Sequence, residues 1–369
     1  MVASVAESST IQKGRIFAYR VFDAGDTIAL DDAEKRLGAK RVDMSGPLVE
    51  GLVVVARPLE VDLGTCKVAV KKLDREMEAR VSARVFDYGA ISILFEIPIA
   101  PGTTFAALTP LCDALYDAPE LDALGAEQRT ELVAKLGPSV EKPHTWAEAE
   151  TYTIVYAEEI GGSTLGDLTT SEDVAKLLLG ETNAKPLSDA VRADVLKNSF
   201  SYLADDLVIV DWNSALVVEP SGSRIVPFVL ELATTQLLEF RYYDHVLERE
   251  LEKLYQHVEK ARPSIIRSPY RGLMRGALRR YMELTEFTER VDNAIKSVGD
   301  FYLARVYLSA QQRFRVPEWR ESVEGKLRLV ARAYELLKGD VEVTRAQALE
   351  IIVVLLILVE VIAALRGHV

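Results

Sequence analysis

Cysteine and histidine are scarce in this chain of 369 residues. The two cysteines, Cys66 and Cys112, are too few for a disulfide framework or a cysteine-ligated structural zinc site, and their scarcity fits a reducing compartment. The four histidines are scattered, at positions 144, 245, 257 and 368. No pair of them has the spacing of the HExxH zinc motif. The sequence therefore indicates no metal site of these kinds, and we expect no cofactor.

The amino terminus lacks the features of a targeting signal. Its first residues, MVASVAESSTIQKG, contain no apolar core of the length that a secretory signal needs, and with one glutamate and one lysine they make a poor transit peptide. We therefore expect residues 1–14 to be a flexible segment and the body of the protein to be cytoplasmic.

Basic residues are outnumbered, 44 against 56 acidic residues, for a net charge of −12. This balance argues against a protein that coats nucleic acid with its whole surface, because backbone binding needs clustered Lys and Arg. The excess of acid is uneven, since residues 1–223 carry 21 basic and 36 acidic side chains, whereas residues 224–369 carry 23 and 20. The exclusion of phosphate partners therefore applies to the first part of the chain alone.

The first part of the chain alternates strand and helix patterns. Residues 15–23 (RIFAYRVFD) are rich in aromatic and β-branched residues, and residues 77–85 alternate apolar and polar side chains like a strand with one wet face. Residues 90–99 are almost all apolar and predict a central strand buried on both faces. With predicted helices at 103–135, a strand at 151–157 and a strand-like run at 205–212, residues 15–223 predict an α+β domain with a mixed sheet.

Beyond Pro220 the pattern becomes helical. Residues 224–340 show helical periodicity that is broken mainly near Pro263, Pro317 and Gly339, which predicts long antiparallel, coiled-coil-like helices. Residues 341–369 then predict a separate hydrophobic terminal helix.

The terminal helix contains the longest apolar run, LEIIVVLLILVEVIAAL at 349–365. About 20 residues separate the flanking basic side chains, enough to cover the roughly 30 Å hydrocarbon core of a bilayer. We therefore expect a membrane anchor that attaches a cytoplasmic body to the inner membrane and places apolar side chains in lipid: Ile351, Leu355, Leu358 and Ile362. Glu350 and Glu360 oppose insertion. The alternative is a helix buried on all sides in a bundle.

Arginines recur at four-residue spacing in the helical part, at Arg267, Arg271, Arg275 and Arg279. On a helix these side chains form one ridge about 18 Å long, and no Asp or Glu occurs between Glu259 and Glu283 to relieve the repulsion. The spacing predicts a site for phosphate, either in RNA or in anionic lipid head groups. Alternatively, the arginines pair with acids of the first domain or of another subunit.

Candidate catalytic residues are few. Asp205, Asp206 and Asp211 could ligate a divalent metal in a phosphate enzyme. In a strand, however, Asp206 falls on one face and the other two fall on the opposite face. The simpler interpretation is a turn that contains Asp205 and Asp206, with Asp211 facing solvent or capping a helix. No nucleophile with an adjacent base is visible. We therefore expect a protein that is not an enzyme.

Several segments, taken in order, resemble the "required for meiotic nuclear division" family, and suggest a bacterial member of it. They are the opening strand RIFAYRVFD, the segment VFDYGAISILFEI with Phe86, Tyr88 and Gly89, the segment LLEFRYYDHVLERELEKLY, and the terminal apolar helix. The resemblance spans nearly the whole chain and implies a noncatalytic, membrane-associated protein. It implies no catalytic residues, and the family's mitochondrial members are linked to organellar translation.

Together these patterns predict a noncatalytic, membrane-associated scaffold or tether with an arginine-rich phosphate-binding ridge. Its expected partners are membrane lipid, RNA or another anionic phosphate surface, and a protein partner or second copy. A first alternative is a soluble homo-oligomer whose long helices pair and bury the terminal helix between chains. A second alternative is the metal-dependent phosphate enzyme.

Overall fold

The computed structural model describes most of the chain. The described residues are 9–42, 57–144, 146–260 and 301–332, with the separate positions 276, 279, 282, 283, 285, 286, 289, 349–351, 353, 354, 356 and 357.

A mixed β-sheet forms the centre of the first part of the chain. Its strands are β1 (Thr10–Asp23), β3 (Lys40–Arg41), β4 (Leu59–Val70), β5 (Arg75–Val85), β6 (Ala90–Ile99), β7 (Thr103–Thr104), β9 (Ala149–Gly161), β10 (Ser199–Phe200), β11 (Leu207–Val210) and β12 (Ser214–Val218). Their order is β10-β11-β12-β9-β1-β6-β5-β4-β3, with β7 beside β1. The β12–β9 pair is parallel and the others are antiparallel. β2 (Gly25–Ile28) and β8 (Val140–Pro143) form a separate antiparallel ribbon.

Helices cover the sheet and continue beyond it. They are α1 (Leu30–Leu37), α2 (Phe105–Tyr116), α3 (Pro119–Leu136), α4 (Leu165–Leu168), α5 (Glu172–Leu179), α6 (Asp189–Leu196), α7 (Ile225–Lys260), the helix Phe301–Arg313 and the helical segment 316–332. The predicted α+β class is therefore confirmed.

β6 lies in the middle of the sheet, and all its side chains except that of Pro98 are buried. The apolar run at 90–99 has no wet face because other elements cover both sides of this strand. The prediction of a doubly buried central strand is confirmed. β1 begins at Thr10, within the segment predicted to be flexible, and its residues Gly14–Asp23 pair with β6 in continuous register.

The first half of α7 is buried around almost its whole circumference and includes polar residues. The backbone carbonyl of Leu230 accepts a hydrogen bond from Thr234 Oγ1 at 2.9 Å. Gln236 Oε1 accepts one from the Tyr307 hydroxyl, to which Gln311 Nε2 also donates at 2.9 Å. Because buried polar groups are costly without partners, the bond between Gln236 and Tyr307 helps to fix how α7 sits against the helix Phe301–Arg313.

The chain divides into two compact units, and the first division falls within α7 after Tyr242. Unit 1 comprises Met1–Tyr242 and Phe287–Glu318, and unit 2 comprises Tyr243–Glu286 and Trp319–Val369. Within unit 2, Lys326 Nζ lies 2.9 Å from Asp244 Oδ2, and Ser322 Oγ donates to Asp244 Oδ1 at 2.8 Å. These bonds join the second half of α7 to the segment 316–332. The domain boundaries expected at residues 224 and 341 stay a prediction.

The predicted membrane anchor requires correction. Among the residues that the structure describes, no helix combines the length and the apolar composition needed to cross a membrane. Crossing takes about 20 consecutive, mainly apolar helical residues. α7 is long enough to cross but carries charged residues throughout its second half. Near the carboxyl end, the described helical positions lie between residues 349 and 357, which is a shorter stretch than a crossing needs. The predicted transmembrane helix in 341–369 and the predicted attachment to the inner membrane are therefore wrong.

Candidate functional site

The arginine ridge falls mostly outside the described residues. Arg267, Arg271 and Arg275 lie there, whereas Arg279 occupies a helical position and is exposed. Phosphate binding by the ridge stays a prediction.

The carboxyl-terminal apolar run exposes its side chains wherever it is described. We define the C-terminal apolar surface as Leu349, Ile351, Val353, Val354, Leu356 and Ile357, each between 52% and 64% exposed. Three of the residues expected to form the anchor, Leu355, Leu358 and Ile362, lie outside the described positions. At about 100° per residue, the six side chains extend over more than half of a helix circumference. A surface of this kind is suited to burial against another apolar surface.

The three aspartates of the candidate metal site are held in separate structural roles. Asp206 accepts hydrogen bonds from two backbone N–H groups of its own loop, at 2.7 and 2.8 Å. Asp211 Oδ1 lies 2.9 Å from Arg313 Nη2, and Asp205 is exposed. Within the described part of the chain, no group of three His, Cys, Asp or Glu side chains is placed to hold a metal ion. This arrangement gives no support to the metal-dependent enzyme.

Two arginine–aromatic pairs lie on unit 1. The guanidinium of Arg305 lies 5.5 Å from the centre of the Phe200 ring, and that of Arg315 lies 6.0 Å from the Trp212 ring. Trp212 is more than half exposed. Tryptophan and arginine are the residue types that most often contribute strongly to protein interfaces. The exposed Arg315–Trp212 pair is therefore a second candidate contact point.

Unit 1 also contains a buried acid cluster that sequence reasoning missed. Asp23 ends β1 and Glu239 lies on α7, and both side chains are almost fully buried, at 1% and 3% exposure. His144 Nε2 lies 3.4 Å from Asp23 Oδ1, and the His144 ring stacks 4.4 Å from that of Tyr242. The sequence does contain a signal for Glu239, which is an acid within the largely apolar helical stretch LLEFRYY. The residues around it in the fold, however, are distant in sequence.

Burial controls the acidity of this cluster. It raises the pKa of the Asp23 carboxyl well above its usual range, and the hydrogen bond from the Gly25 backbone N–H lowers it in part. Burial likewise raises the pKa of the Glu239 carboxyl, and the nearby charge of Asp23 raises it further. A protonated carboxyl is therefore favoured in this cluster at pH values where an exposed acid is ionised.

The fold defines the class to which the chain belongs: an α+β protein built on a mixed sheet, with a helical unit after it. Residues 13–224 match the family described as "Uncharacterized protein MJ0711, N-terminal domain". The chain belongs to this family, because the match covers more than half of it.

A curated relative supports this assignment. The uncharacterized protein MJ0711 of Methanocaldococcus jannaschii is 23% identical over 173 residues, which are 47% of this chain and 53% of the relative. The chain thus aligns with about half the length of that relative. No solved structure matches the chain.

Proposed function

We propose that the protein is a noncatalytic assembly protein that forms homo-oligomers by burying its C-terminal apolar surface against a second copy. One observation carries the proposal: six large apolar side chains within nine residues are all more than half exposed. Isolated exposed apolar residues are common on monomers, but a dense group of this kind marks an interaction surface.

The energetics are of the right order for self-association. Full burial of an exposed Val, Leu or Ile contributes about 1.5–3 kcal/mol, so each half-exposed side chain contributes roughly 1 kcal/mol. Two copies that bury this surface against each other gain on the order of 10 kcal/mol before the cost of association, which is about 4–15 kcal/mol. The gain and the cost are of the same order, so this surface by itself supports weak association at most.

The proposal also includes the more specific family that the sequence resembles. The order of the quoted segments supports membership of the "required for meiotic nuclear division" family in a bacterial chain. That family's noncatalytic character agrees with a scaffold role, and the phosphate-binding ridge would give such a scaffold a second kind of partner.

The mass of the full chain in solution tests the assembly role. Light scattering after size exclusion, in buffer without detergent, should give a multiple of the 40.9 kDa chain mass. Replacing Val353 and Leu356 by Glu should shift the mass toward that of one chain, because two buried charges per copy would have to lose water.

A matched control carries the same charge change on exposed apolar positions of unit 1, Leu179→Glu with Val191→Glu. Both positions are between 42% and 43% exposed. This variant should retain the wild-type mass. A wild-type protein that has the mass of one chain at every concentration of an about 100-fold dilution series would overturn the proposal. Equal dissociation of the two variants would also overturn it.

A further inference from the structure

Unit 1 exposes a group of large side chains at one edge of the mixed sheet. β10 is the last strand on that side, and the loop that follows it contacts the helix Phe301–Arg313. We define the β10-edge surface by five exposed residues: Tyr202, Leu203, Phe301, Arg305 and Leu308. Its apolar and aromatic members are each more than half exposed. A group of this kind marks an interaction surface.

Two ring contacts join the loop to the helix. The ring centres of Tyr202 and Tyr302 lie 5.5 Å apart, and the Arg305 guanidinium lies 5.5 Å from the centre of the Phe200 ring. Both contacts fall within the first two turns of the helix, so the exposed loop residues lie beside its amino-terminal half.

The helix contributes one exposed face to this surface. Phe301, Arg305 and Leu308 have the spacing i, i+4 and i+7, which places them in a row about 10 Å long. The residues between them are mainly buried against unit 1. Two large apolar side chains therefore flank one guanidinium on the solvent side of the helix.

The loop is held in place by a buried acid. Asp206 accepts hydrogen bonds from the backbone N–H groups of Tyr202 and Leu203, whose side chains are exposed. A loop that is already fixed loses little conformational freedom when it binds a partner. The exposed tyrosine and leucine are therefore well placed for an interface.

Arg305 and Glu350 are oppositely charged, and each lacks a partner of opposite charge within the part of the chain that the structure describes. Arg305 lies in the β10-edge surface. Glu350 is exposed between Leu349 and Ile351 of the C-terminal apolar surface. Each surface thus combines apolar side chains with one charge, and the two charges are complementary.

We propose that the β10-edge surface of one copy binds the C-terminal apolar surface of a second copy, with Arg305 opposite Glu350. This inference rests on the proposed function and names the surface that receives the apolar residues. The contact joins two different surfaces and is therefore heterologous. It closes when two copies exchange their C-terminal surfaces, or when several copies form a ring.

The charges favour this arrangement over the packing of two C-terminal apolar surfaces on each other. In that packing Glu350 of each copy would face apolar side chains, and a carboxylate that loses its water without gaining a partner is costly. Opposite Arg305, the same carboxylate gains a charge-assisted hydrogen bond. Aromatic residues and arginine are also enriched in protein interfaces.

Helical spacing on the two sides is compatible with this contact. The described positions between 349 and 357 are helical, as is the Phe301–Arg313 segment. When Glu350 lies beside Arg305, an exposed valine, Val353 or Val354, lies one turn away beside an apolar member of the β10-edge surface. This holds for parallel and for antiparallel helices.

The mass of full-length variants in solution tests which surfaces meet. Phe301→Glu with Leu308→Glu should lower the mass toward that of one chain, as should Val353→Glu with Leu356→Glu, because each pair disrupts one side of the same contact. Packing of two C-terminal surfaces predicts instead that the first variant keeps the wild-type mass. That result would overturn this inference and leave the proposed function intact.

Mixing the two variants provides a sharper test, because each retains the surface that the other lacks. An equimolar mixture should contain a species of twice the 40.9 kDa chain mass, at concentrations at which each variant alone has the mass of one chain. A mixture that keeps the mass of one chain would contradict the heterologous contact. A wild-type protein that itself has the mass of one chain would instead overturn the proposed function.

Exchange of the two charges tests the pairing of Arg305 with Glu350. Arg305→Glu and Glu350→Arg should each raise the dissociation constant about tenfold. Both changes in one chain should return it to within about threefold of wild type, because the ion pair forms again with its signs exchanged.

Arg75→Glu combined with Glu350→Arg is the matched control. Arg75 is an exposed arginine of β5, which five strands separate from β10 in the sheet. This combination should leave the dissociation constant as high as Glu350→Arg alone. Equal recovery with both combinations, or no recovery with the Arg305 exchange, would show that the two charges do not meet.

Discussion

Arg84 and Glu231 form a buried ion pair in unit 1, in which Arg84 Nη1 donates to Glu231 Oε2 and the two side chains are 8% and 1% exposed. Arg84 lies on β5 and Glu231 in the first half of α7, so the pair links the sheet to the helix. The guanidinium also lies 5.3 Å from the centre of the Phe228 ring. These contacts position α7 on the sheet.

Removing the acid alone should destabilise unit 1 strongly. Glu231→Leu leaves the Arg84 guanidinium buried without its carboxylate, which should cost about 3–5 kcal/mol in urea unfolding. The double variant Arg84→Met, Glu231→Leu should recover most of this loss, because no buried charge remains. If the double variant is as unstable as the sum of the two singles, the pair does not act as a unit.

Gly89 occupies a position where any side chain would collide with the backbone. Its φ is 97°, and an added Cβ would lie 1.8 Å from the Gly25 carbonyl oxygen. Gly64 is the matched control, with a φ of 84° and no atom within 4 Å of the place where a Cβ would lie. Alanine should therefore cost about 1 kcal/mol at Gly64, from backbone strain alone, and clearly more at Gly89. Equal losses of thermal stability at the two positions would contradict the close approach of β2 to the β5–β6 turn.

Glu150 should make stability depend on pH near neutrality. Burial raises the pKa of its carboxyl to about 7, although the hydrogen bond from Arg241 acts in the opposite direction. The native chain thus retains a proton that the unfolded chain loses near pH 4.3, so this contribution to stability declines as the pH rises from about 4 to 7.

Glu150→Gln should flatten that part of the curve of unfolding free energy against pH. Glu148, whose side chain also contacts Arg241 but is about half exposed, supplies the control. Glu148→Gln should lower the pKa of Glu150 only slightly, because the charge of Glu148 is the smallest of the contributions that shift it, and should therefore keep the decline in stability between pH 4 and 7. The same slope in both variants would show that burial of Glu150 does not control its titration.

Local patterns predicted much of the fold. The apolar run at 90–99 became the central strand β6, and the helical periodicity after residue 224 became α7. Both predictions succeeded because an unbroken apolar run and helical periodicity are properties of neighbouring residues. Hydropathy alone misled at the carboxyl end, since it measures how apolar a segment is and not whether a helix there spans lipid.

The contacts that define the candidate sites depend on residues far apart in sequence. Nothing near Asp23 indicates that it would meet His144 and lie close to Glu239, and nothing near Arg84 indicates that it would meet Glu231. Composition and periodicity thus established an acidic α+β part followed by helices. Which charged groups become buried, and with which partners, was decided by the packing of α7 on the sheet, because burial and pairing arise only when distant segments come together.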